Sequence, residues 1–102
     1  MTRIARVGVA VDPPLLADLL VSLLSGPYRR LGRTWKRGQN RCDLAIVSPA
    51  HTGAVSAPRV ICLPDDYGDA GVGRVTTVAG SFPIAIRDIG AIERLLESYL
   101  PA

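Results

Sequence analysis

Aromatic side chains, cysteine and histidine are scarce in this 102-residue chain, which has one Phe, one Trp, three Tyr, two Cys and a single His. Cys42 and Cys62 each lie beside or within an apolar run, so a disulfide scaffold is excluded and both read as small core hydrophobes. Two unpaired thiols fit a reducing, cytoplasmic compartment. One His and two Cys make no zinc set, and no metal is expected. Long hydrophobic runs are missing as well. The apolar stretch RIARVGVAVDPPLLADLLVSLLSG is interrupted by Asp12, Pro13, Pro14 and Asp18, short of the ~20 residues that a membrane-spanning helix needs. The glycines Gly71, Gly73 and Gly80 form neither GxGxxG nor a P-loop, so no nucleotide cofactor is expected.

What is present is aliphatic and unevenly charged. Hydrophobic residues make up 48% of the chain, which excludes disorder and supports a single domain over residues 1–102. A domain of this size buries roughly 65% of the surface its unfolded chain exposes. The net charge is +3, with 12 Lys and Arg against 9 Asp and Glu. Residues 28–41, YRRLGRTWKRGQNR, hold six of the cations (Arg29, Arg30, Arg33, Lys36, Arg37 and Arg41) and no acid. Outside that run the chain is therefore mildly acidic.

Residues 4–11, IARVGVAV, have the pattern of a strand buried on both faces. Asp12 is the expected cap of the following helix, and Pro13-Pro14 suit its first turn. Leu15, Leu16, Leu19, Leu20, Leu23 and Leu24 recur as pairs four apart, one apolar stripe on that helix, which Gly26-Pro27 ends. The basic run reads as turns around a short extended piece near residues 33–36. Further strands are expected at 42–47, 59–63 and 74–79, with a short one at 84–86. A final helix from Asp88 carries Ile89, Ile92, Leu95, Leu96 and Tyr99 on one face and Glu93, Arg94 and Glu97 on the other. Strands separated by loops too long for tight hairpins predict an α/β fold with a mostly parallel sheet of four to five strands. The connections at 49–58 and 64–73 are about ten residues, near the lower limit for a crossover, so their helices are reduced.

The stretches VGVAVDPPLLADLLVSLLS (7–25), DLAIVSP (43–49) and FPIAIRDIGAIERLL (82–96) resemble the first strand–turn–helix, the third strand and the last turn and helix of the receiver domain of bacterial response regulators. The resemblance implies a flavodoxin-like, three-layer signalling domain. It also places Ser48 where that family carries its phosphoacceptor Asp, and leaves Asp12, followed by Pro13, as the remnant of an acidic Mg²⁺ pocket. A Thr or Ser after the fourth strand is replaced by Pro64, and a Lys before a proline by Phe82 ahead of Pro83. Phosphoryl transfer needs the nucleophile, the metal and the cation together. The resemblance thus implies a degenerate pseudo-receiver without Asp phosphorylation, acting through protein contacts as a homodimer or with a protein partner.

Other chemistry is weaker. Ser48, His51 and Asp65 or Asp66 assemble a triad only on paper, because Ser48 precedes a proline and lacks the glycines of a nucleophile elbow. Asp12, Asp65 and Asp66 suit a hard cation, but turn and capping roles explain each of them. The partner-binding candidates are therefore Arg29, Arg30, Arg33, Trp35, Lys36 and Arg37 in the basic run, and Tyr99 on the last helix. Cations interleaved with Tyr28 and Trp35 suit nucleic acid, an acidic protein surface or a charged strand edge. Three readings stay open: a non-catalytic regulatory or scaffolding module, a nucleic-acid-associated adaptor, and a small enzyme with a site near Ser48 and Asp12.

Overall fold

A computed structural model describes residues 5–26, 29–33, 42–51, 57–64, 72–86 and 88–99. In chain order the elements are β1 (Ala5–Ala10), α1 (Pro14–Leu24), β2 (Arg29–Arg33), β3 (Leu44–Val47), a 3₁₀ turn at Pro49–His51, β4 (Val60–Cys62), β5 (Val72–Thr77), β6 (Gly80–Ala85) and α2 (Ile89–Tyr99). The strands form one sheet in the order β2-β1-β3-β4-β5-β6. The β1–β2, β1–β3 and β3–β4 ladders are parallel, and the β4–β5 and β5–β6 ladders are antiparallel. An α/β fold is therefore found. The sheet has six strands and mixed direction, not four to five mostly parallel ones.

Two elements account for that difference. The basic run opens with a strand, because Leu31 supplies a buried side chain at the centre of Arg29–Arg33 and its arginines fit an edge position. The expected short strand at 84–86 is instead a full partner to β5 that starts at Gly80 and contains Pro83, tolerated because β6 is also an edge. Val78 and Ala79 join β5 to β6, with the Ala79 N–H donating to Thr77 Oγ1 at 3.1 Å. Gly80 follows at φ 135°, a conformation that side chains disfavour.

Strand alternation sorts the core into two faces. Val7, Val9, Val11, Leu31, Leu44, Ile46, Ile61, Leu63, Val75 and Ile86 share one face with Ala17, Leu20 and Leu24 of α1 and Ile92, Leu95 and Leu96 of α2. The other face holds a smaller cluster, Ala10, Ala45 and Val47, with Cys42, Ala57, Val60 and Cys62 packed against it. Both described helices thus cover the same side, and the expected three layers reduce to two among the described residues. The β3–β4 connection shows why, since its described helical part is the three-residue turn Pro49–His51.

The six leucines of α1 do not form one stripe. Leu20 and Leu24 are buried and Leu16 packs at their edge, whereas Leu15, Leu19 and Leu23 are 80%, 45% and 55% exposed. Residues one apart on a helix differ by about 100°, so the adjacent pairs separate into a core row and an outer row. The helix start also differs from expectation. Pro13 is the cap residue, without a side-chain cap, and its carbonyl accepts the N–H groups of Leu16 at 2.9 Å and Ala17 at 3.3 Å. Asp12 lies one residue too early for that role. On α2, Asp88 does cap, with Oδ1 accepting the Ala91 N–H at 2.8 Å. No described helix is long and apolar enough to cross a membrane.

Candidate functional site

From β1 the chain turns to β2 on one flank, and from β3 it turns to β4 on the other. The C-terminal ends of β1 and β3 therefore flank the point where strand order reverses, the usual location of sites in open α/β sheets. Asp12 and Ser48 stand at these two ends. The Ser48 N–H donates to the Ala10 carbonyl at 3.0 Å, which extends the β1–β3 ladder by one bond. Ser48 Oγ in turn accepts the Asp12 N–H at 2.7 Å. At 9% exposure, Ser48 is the one buried polar residue among those described. The Leu63 N–H donates to the Val47 carbonyl at 2.8 Å and carries the same edge across to β4.

Chemically this corner is modest. A neutral hydroxyl occupies the position at the end of β3, and its oxygen is engaged with the β1–α1 turn. Of the paper triad, Ser48 is placed at this corner and His51 ends the 3₁₀ turn three residues on, while Asp65 and Asp66 lie outside the described residues. Among the described residues no three His, Cys, Asp or Glu gather to hold a metal ion.

The basic run and the last helix read differently in three dimensions. Arg29 Nε donates to the Leu24 carbonyl at 2.6 Å, and its guanidinium meets Glu93 of α2 at 3.2 Å. Arg33 pairs with Asp18 of α1 at 2.9 Å. Arg29 and Arg33 thus tie the edge strand to both helices, while Arg30 points to solvent. Trp35, Lys36 and Arg37 lie outside the described residues, as does Tyr28. Tyr99 is half-buried against the main core, with its ring 6.4 Å from that of Phe82. Leu95 and Leu96 are core residues and offer no outer apolar area.

Both thiols are half-buried on the smaller face. Burial, and secondarily the Asp43 carboxylate, push the Cys42 thiol above its ordinary pKa, against the opposing pull of the Arg6 guanidinium and a Gly8 backbone hydrogen bond. A raised thiol pKa makes a poor nucleophile.

One exposed apolar surface among the described residues was not singled out from the sequence. Leu15, Leu19 and Leu23 form an exposed row on α1, and a shallow depression of about 700 Å³ beside it is lined by Pro13, Leu15, Leu16, Asp18 and Leu19. A second cleft of about 210 Å³ runs between the helices, lined by Leu16, Leu20, Ile86, Asp88, Ile89 and Ile92. The i, i+4, i+8 spacing of the outer leucines was the available signal, masked by the core row one residue along.

No family model matches the chain, and neither a curated protein nor a solved structure does.

Proposed function

We propose that this chain is a receiver-like regulatory or scaffolding module that works through protein–protein contacts and not through phosphorylation of an Asp. The observation that carries the proposal is Ser48, which stands at the end of β3 with its Oγ bonded to the Asp12 N–H at 2.7 Å. In a receiver-like site that position needs a carboxylate, with a cation-binding pair of acids beside it. Among the described residues a hydroxyl and a single acid, Asp12, occupy the corner. The strand order β2-β1-β3-β4, its parallel ladders and a first helix directly after β1 agree with flavodoxin-like winding. The antiparallel β5 and β6 are a departure from it.

Protein contact is favoured over nucleic acid by where charge and apolar surface lie. Arg29 and Arg33 are engaged with Glu93 and Asp18, so they offer less to a phosphate backbone than the run suggests. The exposed leucines of α1, in contrast, form an apolar patch of the kind that soluble proteins use for contact.

The test is incubation with acetyl phosphate and Mg²⁺ followed by intact-mass measurement. The expected spectrum is unchanged. Gain of one phosphoryl group, labile to hydroxylamine, would overturn the proposal.

A further inference from the structure

We infer that Arg6 and Arg30 form a phosphate-binding pair on the sheet face opposite the helices, and that its occupant is a phosphorylated Ser or Thr side chain of a protein partner. The inference deepens the protein-contact reading above and rests on it.

Strand alternation divides the arginines of β1 and β2 between the two faces. Arg29 and Arg33 share the parity of Leu31, and their guanidiniums reach Glu93 and Asp18 on the helix side. Arg30 has the opposite parity. The parallel register sets it directly beside Arg6, about 4.8 Å away across the ladder, with both side chains exposed. Neither guanidinium is ion-paired among the described residues. Asp43 stands at this end of the sheet, where its Oδ2 accepts the Arg6 backbone N–H at 2.9 Å. One acid against two cations still leaves positive charge in excess. The other described acids are elsewhere, since Asp18, Asp88, Glu93 and Glu97 belong to the helices and their starts and Asp12 follows the far end of β1.

The charge of the pair selects the occupant. Like charges directly opposite destabilise a sheet, so the pair favours a ligand that neutralises both. A carboxylate or a phosphodiester brings one negative charge, whereas a phosphomonoester carries about −1.5 to −2 at neutral pH. Its terminal oxygens suit two guanidinium forks, the mode in which arginine clusters recognise phosphorylated peptides. Nucleic acid is disfavoured, because a strand is held by many phosphate contacts and by aromatic stacking. Among the described residues no aromatic side chain stands on this face, since Phe82 and Tyr99 pack together on the other.

Approach to the pair is open on one side. Gly8 and Gly32 follow Arg6 and Arg30 on the same face, so no side chain of either strand screens the guanidiniums there. A Cβ built at Gly32 meets nothing within 4 Å.

The test is an NMR titration of the full chain at constant ionic strength, following the arginine Nε–Hε signals. The probes are inorganic phosphate, a blocked phosphoserine peptide, the same peptide with glutamate in place of phosphoserine, and a short oligothymidylate. Phosphate and the phosphopeptide should shift Arg6 and Arg30 saturably, with a Kd of about 1–10 mM for two exposed ion pairs. The glutamate peptide should bind about tenfold more weakly. Arg6→Gln and Arg30→Gln should each weaken phosphopeptide binding about tenfold without lowering Tm, because both side chains are exposed. Arg74, an exposed cation on the same face three strands from β1, supplies the control, and Arg74→Gln should leave binding unchanged. Tighter binding of oligothymidylate than of phosphopeptide at these two arginines would overturn the inference in favour of nucleic acid. A glutamate peptide that binds equally well, phosphopeptide binding that both variants keep, or arginine signals that no probe moves also overturn it, and leave the protein-contact reading to another surface. Phosphorylation by acetyl phosphate would defeat that reading without touching this titration.

Discussion

At Gly73 a Cβ would press into the Cys62 carbonyl and lie 2.6 Å from Ile86 Cδ1. The first neighbour is backbone in a hydrogen-bonded strand and cannot step aside. The second is a fully buried core side chain. Gly73 is what lets β5 lie flat between β4 and the chain leaving β6. Gly73→Ala should therefore cost about 2–3 kcal/mol in urea unfolding, near the upper end for overpacking. A loss below about 0.5 kcal/mol would mean that the strand shifts freely there. Gly32, with nothing within 4 Å of a built Cβ, makes the matched control, since Gly32→Ala meets no steric obstacle.

Single elements differ in how they are held, and that sets how legible they were in the sequence. α2 has one side-chain cap, the bond from the Ala91 N–H to Asp88 Oδ1. Asp88→Ala should cost about 1 kcal/mol, read as a lower Tm, while Asp88→Ser should keep most of it. β1, β3 and the two helices could be read directly because their apolar periodicity reflects burial that each experiences along most of its length. β2 could not, since four of its five residues are Arg or Gly and only Leu31 enters the core. β6 contains Pro83, a residue that argues against a strand interior, and its turn, Val78-Ala79, lacks the Asn-Gly or Asp-Gly pairs that mark tight hairpins. Gly80 was the remaining cue. At the candidate site, Ser48 and Asp12 were legible as neighbours because strand ends in a parallel sheet converge. The hydrogen bond joining them was not, as it depends on the rotamer of one hydroxyl. The outer leucine row was hidden because twin rows on one helix look, in sequence, like a single broad stripe.

For the whole molecule, protection is expected to follow sheet position. β3 has neighbours on both sides, and Leu44, Ala45, Ile46 and Val47 are all fully buried, whereas β6 is paired on one side with most of its residues exposed. In native-state hydrogen exchange, β3 amides should approach the global unfolding free energy, and β6 amides should exchange through local opening. Equal protection of the two strands would contradict a sheet ordered as β2-β1-β3-β4-β5-β6.

The change of strand direction after β4 also divides the chain by the time its contacts take to form. Thr77 and Gly80 meet across three residues, and closing such a hairpin takes about 1–10 μs. Val7 and Leu44, which join β1 to β3, are separated by 37 residues, and a loop of that length must close before their ladder returns any energy. Folding speed is therefore expected to be set by the parallel half, where β1 must find β3 with α1 and β2 intervening. The β5–β6 hairpin, whose contacts are local, is expected to form sooner but to be stable only once packed on the rest of the sheet.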